Sequence, residues 1–177
     1  ILKSDGDIIV TQAKISDTFF SNVDIKLLDK IKKFKDVKNV SAVIVGASPV
    51  EELPIVAIYG ITNNRFKNYK LIKDRYPKKD EALVGEAIYN KLLNKKEIQI
   101  ANKKFKISGV FASDIGFENG GIFLNIKDAG EIFNKSASML MINTKVDTNI
   151  DTLAKKIKQL CTKIDAKSTK SFINNYN

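Results

Sequence analysis

The carboxylates are the residues of this sequence whose type and spacing could support chemistry. Two adjacent pairs occur, Glu51-Glu52 and Asp80-Glu81, and Asp114 is followed by Glu118 in a glycine-containing segment. Acid–base catalysis by a carboxylate pair requires burial or a close charged partner, because the two pKa values must be separated. All of these residues are expected in polar loops, so we interpret them as solvated surface carboxylates.

The segment that contains Asp114, Glu118 and Asn119 could also be compared with a calcium-binding loop. It lacks the ligand order of an EF-hand and the central glycine of that motif. Its glycines do not form a phosphate-binding P-loop, because no Gly-Lys-Ser/Thr sequence follows them. We therefore predict that this chain has no metal site and no cofactor site of its own.

A hydrolytic nucleophile is not indicated either. Ser48 precedes Pro49 without the context of a nucleophile elbow, and the chain contains no histidine. Histidine is the commonest general base and the commonest metal ligand, so its absence argues against both kinds of site. Cys161 is the single cysteine and is expected on the apolar face of a helix as a buried, unreactive thiol. The residues predict a protein that is not an enzyme, and a hydrolase using carboxylates alone is the weakest alternative.

The chain carries a formal net charge of +10, with 30 basic and 20 acidic residues. A surface of this sign is compatible with nucleic acid or an anionic membrane as a partner. Arginine supplies the planar fork used to recognise phosphates and bases, yet Arg65 and Arg75 are the only arginines. We favour a solvated lysine-rich surface and keep a basic nucleic-acid-binding module as the alternative.

Aromatic residues alternate with cations between residues 59 and 76, as they do on surfaces that bind single-stranded nucleic acid. The spacing of Tyr59, Phe66, Tyr69 and Tyr76 matches no known RNA-binding motif. Core or anchor positions are therefore the favoured interpretation of these rings.

The two ends of the chain share one pattern, strand–helix–strand. Residues 7–14 and 37–45 read as strands around a helix with a Ser21–Asp24 capping box, and residues 139–146 and 166–169 flank a helix capped by Asn149. Neither unit can bury its sheet face alone. Together they predict an α+β fold, a four-stranded split βαβ sheet of the ferredoxin-like kind with two helices on one side.

A β-rich segment is inserted between these two halves. Glycine and proline at residues 46–53 predict a break there, and a second boundary is expected near residues 134–138. We therefore predict one lobe from residues 1–53 with 137–177, and an inserted lobe from residues 54–136. Insertion at a surface loop is tolerated when the two cut ends lie close together.

The inserted lobe is expected to contain a helix over residues 84–92 and a hairpin after it. An Asn102-Lys103 loop would pair Ile100 with Phe105 and Ile98 with Ile107, placing all four side chains on one face. Gly109 continues that face without a side chain, which predicts a bulge or a close backbone approach.

Two apolar residues, Ile115 and Phe117, occur within the polar loop at residues 112–120. Local burial is the ordinary outcome for such residues. Exposed apolar side chains on a loop often mark an interface. We therefore treat Ile115 and Phe117 as a possible partner-docking loop.

Three segments between residues 83 and 133 resemble a known family. They read, in order, LVGEAIYNKL, IQIANKKFKISGVF and GIFLNIKDAGEIF. Their order and spacing resemble the periplasmic core domain of MacB-type ABC transporter permeases, a superfamily that includes FtsX-like and LolC/LolE-like permeases. The chain departs from the family at Lys127-Asp128, where Pro-Leu is frequent, and no proline follows Ser41. The subfamily and the cargo therefore stay open.

The resemblance implies two lobes, one of paired βαβ units similar to the porter domains of multidrug pumps and one inserted and β-rich. It implies a location on the periplasmic side of the bacterial inner membrane, with both chain ends continuing into transmembrane helices of a larger permease. Such a domain has no active site, and ATP binds to a separate nucleotide-binding subunit or domain. It transmits ATP-driven movement to cargo, and its partners are the ATP-binding subunit, a second permease copy and a periplasmic partner or cargo protein.

Overall fold

Strands and short helices alternate along the chain, and a computed structural model describes the backbone of residues 7–176 and the side chains of residues 7–172. The strands are β1 (Ile8–Gln12), β2 (Val37–Val50), β3 (Leu53–Ile61), β4 (Lys70–Asp74), β5 (Glu81–Gly85), β6 (Glu97–Ile100), β7 (Lys103–Ala112), β8 (Ile122–Asn125), β9 (Met139–Thr144) and β10 (Ile164–Ser168). The α-helices are α1 (Leu27–Lys32), α2 (Glu86–Lys91), α3 (Gly116–Asn119), α4 (Ile126–Phe133), α5 (Ile150–Lys158) and α6 (Thr169–Tyr176), and 3-10 helices cover Thr18–Phe20 and Asn63–Asn68. In the described part of the chain, no helix is long and apolar enough to cross a membrane.

Contacts divide the chain into two compact units. Of the described residues, the central unit contains 44–135, and the terminal unit contains 7–43 and 136–176. Residues 44–53 pack with the central unit, where Ile44 and Val50 belong to the hydrophobic core. The predicted lobes, 1–53 with 137–177 and 54–136, stay a prediction about how the domain is organised.

The terminal unit is a four-stranded antiparallel sheet in the order β10-β1-β9-β2. Strand β9 lies between β1 and β2 and is antiparallel to both, so β1 and β2 are parallel to each other. Helix α1 lies between β1 and β2 in the chain, and α5 lies between β9 and β10. This topology is a split βαβ arrangement, which confirms the predicted α+β fold class.

Helix α5 follows the predicted pattern because its signals are local. The Asn149 side chain accepts a hydrogen bond from Thr152 N at 3.1 Å, as an N-cap residue should. Leu153, Ala154 and Ile157 form its buried stripe. The helix ends at Lys158, however, so the prediction that Cys161 is a buried helical thiol is wrong. Cys161 is half-buried.

The capping box predicted at Ser21 and Asp24 is also wrong. Helix α1 begins at Leu27 after Lys26, which makes no side-chain capping bond. The Ser21 side chain is buried and accepts a hydrogen bond from Gln12 N at 2.9 Å, while Asp24 accepts from Lys26 N at 2.9 Å. Both side chains bind loop and strand backbone in this way instead of capping a helix.

The central unit is a small barrel, because its strand pairing forms a closed ring. Successive neighbours are β2, β3, β8, β5, β7 and β6, and Val50 of β2 pairs with Ile100 of β6 to close the ring. Strand β4 pairs with β7 as an additional strand. The barrel interior is filled by buried apolar side chains, among them Ile44, Val50, Val56, Ile58, Ala82, Val84, Ile98, Ile100, Phe105, Ile122 and Leu124.

The break predicted at residues 46–53 is wrong, because β2 continues to Val50. A Cβ atom on Gly46 would lie 2.4 Å from the ring of Phe133, so this glycine makes room for packing. The Pro49 carbonyl accepts a hydrogen bond from Ala101 N at 3.3 Å. A turn follows at Glu51, whose φ is 49°.

The predicted hairpin register is wrong, because the two-residue loop lies one position earlier in the chain than predicted. Ala101 adopts φ 55°, so the loop is Ala101-Asn102, and Ile98 pairs with Phe105 while Ile100 pairs with Lys103. Ile98, Ile100 and Phe105 are still buried together, because alternation along both strands preserves the face. Contact of Ala101 N with β2 fixes this register from outside the hairpin.

The start of the predicted helix at residues 84–92 is strand. Val84 belongs to β5, and α2 begins at Glu86 with Ile88 buried. The prediction for Gly109 is confirmed, since the pairing of β5 with β7 shifts between Ile107 and Gly109. A Cβ atom on Gly109 would lie 2.4 Å from Arg75 O, so the backbone approach is close.

Candidate functional site

The loop predicted as a docking element contains the four-residue helix α3, and we call residues 113–120 the α3 tip. Phe117 is 48% exposed on this helix, and Ile115 is half-buried at its N-cap position. The structure therefore places both predicted residues at the start of α3 and presents mainly Phe117 to solvent.

Phe117 stands at the outer end of a cluster of aromatic rings. Its ring centroid is 6.3 Å from that of Tyr59, which stacks on Phe123 at 4.8 Å. Phe123 in turn contacts Tyr69 at 4.4 Å and Phe111 at 5.2 Å. Each such ring pair stabilises the fold by about 0.5–1.5 kcal/mol beyond the hydrophobic effect of burying the rings. The exposed ring thus rests on a rigid, buried base.

Glu118, the residue after Phe117, is completely buried. Its Oε2 atom accepts a hydrogen bond from the Tyr69 hydroxyl at 3.2 Å, and its Oε1 atom accepts one from the Ser113 hydroxyl at 2.6 Å. The prediction that Glu118 is a solvated loop carboxylate is wrong, because α3 turns this side chain inward. Asn119 adds a contact by accepting from Ser113 N at 3.1 Å.

The electrostatics of this cluster keep the tyrosines protonated. Burial, with a smaller effect from the Glu118 carboxylate, raises the pKa of Tyr59 to about 12. The same two causes raise the pKa of Tyr69 well above its usual range, against the opposing effect of the Arg65 guanidinium. Arg65 itself is buried. The Tyr69 hydroxyl therefore remains a neutral donor to Glu118 well above physiological pH.

The α3 tip packs directly on the end of β5. A Cβ atom on Gly85 would lie 2.1 Å from Asn119 O, and Gly85 N donates a hydrogen bond to Gly121 O at 2.9 Å. Gly116, at the start of α3, has no atom within 4 Å of the same virtual position. The tip is therefore tightly held at its C-terminal end and open at its N-terminal end.

The paired carboxylates predicted as surface residues take part in ion pairs. Glu81 is mostly buried and receives two hydrogen bonds from Arg75, at 2.7 Å and 2.5 Å, so the prediction that it is solvated is wrong. This contact lowers the pKa of Glu81 to about 2. Asp80 is exposed and pairs with Lys103 at 2.7 Å. These groups are neutralised by neighbours and hold strands together.

Asp128 is a buried carboxylate that the sequence did not single out. It accepts a hydrogen bond from Asp80 N at 2.7 Å, and its burial raises its pKa. Among the side chains described for residues 7–172, no three Cys, Asp or Glu residues are grouped so that they could hold a metal ion.

The interpretation of the aromatic residues as core anchors is confirmed for Tyr59, Phe66 and Tyr69, which are buried. Sequence reasoning missed the burial of Arg65 and Glu118. The spacing of charged residues in the sequence does not predict this burial, because Arg65 and Glu118 lie far apart in the chain. Arg65 is buried, and the exposed Arg75 uses both terminal nitrogens to bind Glu81, so neither presents an open fork to a nucleic acid.

Comparison with known proteins places this fold in a family. The family model for the MacB-like periplasmic core domain matches residues 1–160. The periplasmic region of MacB from Actinobacillus actinomycetemcomitans superposes with a TM-score of 0.74 at 12% identity, over 96% of this chain and 91% of that chain. The extracellular domain of the noncanonic ABC-type transporter YknZ from Gram-positive bacteria superposes with a TM-score of 0.71 at 12% identity, over 91% of this chain and 100% of that chain.

At 12% identity, the two solved structures show only that the fold is shared. Membership of the family rests on the family model. No match was found among curated proteins. The predicted resemblance is confirmed, and the nucleic-acid-binding alternative is not favoured. The chain belongs to the MacB-like periplasmic core domain family and is an extracytoplasmic domain of a MacB-like ABC transporter permease.

Proposed function

We propose that this domain transmits ATP-driven conformational change in the permease to a cargo or partner protein, and that it has no catalysis of its own. Family membership supports the transport context. The observation that carries the proposal is the α3 tip, an exposed phenylalanine on a buried base. Phe117, with half-buried Ile115 beside it, is the proposed docking contact.

A contact that transmits movement must resist deformation. The α3 tip meets this requirement, because Glu118 is fixed by Tyr69 and Ser113 on one side and the backbone of Asn119 lies against Gly85 on the other. Buried, fully bonded polar groups rigidify the segment that carries them. Phe117 therefore moves with the central unit and does not swing on a loose loop.

The proposal includes partners outside this chain. ATP would bind to a separate nucleotide-binding subunit or domain, a second permease copy would complete the transporter, and transmembrane helices would connect this domain to the membrane. On the periplasmic side of the inner membrane, the tip would meet a partner or cargo protein. Aromatic side chains are frequent anchors of protein interfaces, which fits a single exposed ring as the contact.

A distance measurement on the full-length permease with its ATP-binding subunit tests the proposal. Asp114 is exposed beside the docking contact, so Asp114→Cys in a Cys161→Ser background carries a spin label without altering Phe117. We expect the label-to-label distance between the two permease copies to differ between nucleotide-free and ATP-bound states. Identical distance distributions in a transporter that hydrolyses ATP would contradict the proposal.

A further inference from the structure

A cavity of about 570 Å³ lies beside β7 in the central unit. Strand β5 occupies one edge of β7, so β6 and β4 share the other edge, β6 at residues 103–106 and β4 at residues 109–112. Between them, Ile107 N donates to Lys96 O at 2.9 Å and Arg75 N donates to Ser108 O at 3.0 Å. The two strands separate at this junction, and the space between them is the cavity.

Lysine side chains dominate the lining of this cavity. One of them, Lys73, donates to the Tyr89 hydroxyl at 3.1 Å, and its Nζ atom lies 5.3 Å from the centre of that ring. Like charges along the lining of one space repel each other, and a bound anion would relieve that repulsion. The charged residues of the lining are Lys73, Lys95, Lys96 and Lys106, with Asp74 as the carboxylate.

Two carboxylates outside the lining lie near Lys106: Glu97 is its cross-strand partner in β6, and Lys106 helps to lower the pKa of Glu81. Glu81 forms an ion pair with Arg75, and Asp80 forms one with Lys103. Lys95 contacts Glu51 at 3.5 Å. Among the residues that the structure describes, none forms an ion pair with Lys96 or Lys106. The lining itself therefore carries four lysines against one carboxylate.

We propose that this cavity binds a multiply charged phosphate group. Lysine ammonium groups are compact point charges and bind phosphate without the planar geometry that arginine imposes. The volume falls within the range of about 300–1,000 Å³ that is usual for small-ligand sites. A single carboxylate ligand would leave most of the lysine charge uncompensated. The phosphate comes either from a free compound or from a lipid headgroup, and the proposal is independent of the docking role of the α3 tip.

The test is calorimetric titration of the chain with pyrophosphate in 50 mM and 200 mM salt. We expect saturable binding at one site that weakens as salt increases, since the attraction is between charges. The Lys96→Gln/Lys106→Gln variant should bind at least about tenfold more weakly, because charge-assisted bonds are lost. The matched control is Lys155→Gln/Lys156→Gln, which removes the same charge from exposed positions of α5 and should bind as the parent does. Equal thermal unfolding temperatures of the two variants show that both are folded.

A second arm uses co-sedimentation with vesicles that contain phosphatidic acid, whose phosphomonoester can carry two charges, compared with neutral vesicles. Vesicle binding that is lost in the Lys96→Gln/Lys106→Gln variant and kept in the control supports a lipid headgroup as the source of the phosphate. Loss of pyrophosphate binding alone in the same variant supports a free phosphate compound. The proposal is overturned if neither ligand distinguishes the two variants.

Discussion

The Tyr69 hydroxyl donates a hydrogen bond to the Glu118 carboxylate at 3.2 Å, and both side chains are shielded from solvent. Tyr69 directly follows the 3-10 helix at Asn63–Asn68, and Glu118 lies in α3 next to Phe117. The hydrogen bond therefore joins these two segments close to the exposed ring. A buried carboxylate with two hydroxyl donors therefore determines where a surface residue is presented. The consequences can be measured on this chain.

Replacing Glu118 with alanine should strongly destabilise the chain. The change leaves the Tyr69 and Ser113 hydroxyls without their acceptor, and each buried polar group left unsatisfied costs about 1–3 kcal/mol. Tyr69→Phe removes one hydroxyl, which bonds to both Glu118 and Arg65, and should cost about 1–2 kcal/mol. The free energy of unfolding in urea measures both. A Glu118→Ala effect below that of Tyr69→Phe would show that the carboxylate is not the centre of the network.

Replacing Phe117 with serine should affect partner binding more than stability. Because this ring is about half-exposed, we expect a loss of about 1 kcal/mol or less in the free energy of unfolding. Adding Ile115→Ser should cost about 1–2 kcal/mol more, since Ile115 is half-buried. Phe123→Ser, in the buried base of the same cluster, should cost about 3–5 kcal/mol.

The functional readout for Phe117→Ser is cargo or partner binding by the full-length permease, which we expect to weaken. Phe20→Ser is the matched control, because Phe20 is 75% exposed on the 3-10 helix of the terminal unit. Binding that falls equally in both variants would argue against a specific role for the α3 tip.

Gly85→Ala should displace the α3 tip, because the added Cβ atom would lie 2.1 Å from a backbone oxygen that cannot move alone. We expect a loss of about 1–3 kcal/mol, as for other overpacked sites. Gly116→Ala adds the same atom in open space at the start of α3 and should be neutral or stabilising by up to about 1 kcal/mol. Amide hydrogen exchange of residues 113–120 should increase in the first variant only. Equal exchange in both would show that the tip does not depend on its contact with Gly85.

The pair formed by Arg75 and Glu81 predicts a specific acid dependence. Because Arg75 lowers the pKa of Glu81 from 4.5 to about 2, the stabilisation is fully present above about pH 4.5 and is lost as the pH falls toward 2. Glu81→Gln removes this contribution, so its stability should fall less steeply than that of the parent in this window. Urea unfolding at several pH values between 2 and 7 measures the slopes. Glu52→Gln, at an exposed position, should retain the parental slope; a shallower slope there would show that the effect is not specific to the pair.

Local patterns in the sequence carried the prediction of the terminal unit. The Asn149 cap and the apolar stripe of α5 identify a helix by themselves, because both depend on residues within a few positions of each other. The repeated strand–helix–strand pattern then favours a split βαβ sheet, since neither half can bury its apolar face alone. The same alternation predicted that Ile98, Ile100 and Phe105 would be buried together.

Features that depend on distant residues could not be obtained in this way. The hairpin loop moved by one residue because Ala101 N binds Pro49 O on another strand, and no pattern within the hairpin records that contact. The break predicted at residues 46–53 was wrong for a related reason. Gly46 leaves room for the ring of Phe133, which lies far along the chain, and does not end the strand.

By itself the sequence determined that this chain is an α+β protein with helical and strand faces in defined places, and that Ile115 and Phe117 stand out in a polar loop. The tertiary structure alone decided that Glu118 is buried while the neighbouring Phe117 is half-exposed, and that lysines distant in the chain line one cavity. The physical reason is that periodicity specifies which face of an element avoids water, whereas charge burial and ring closure depend on neighbours brought together by long-range pairing.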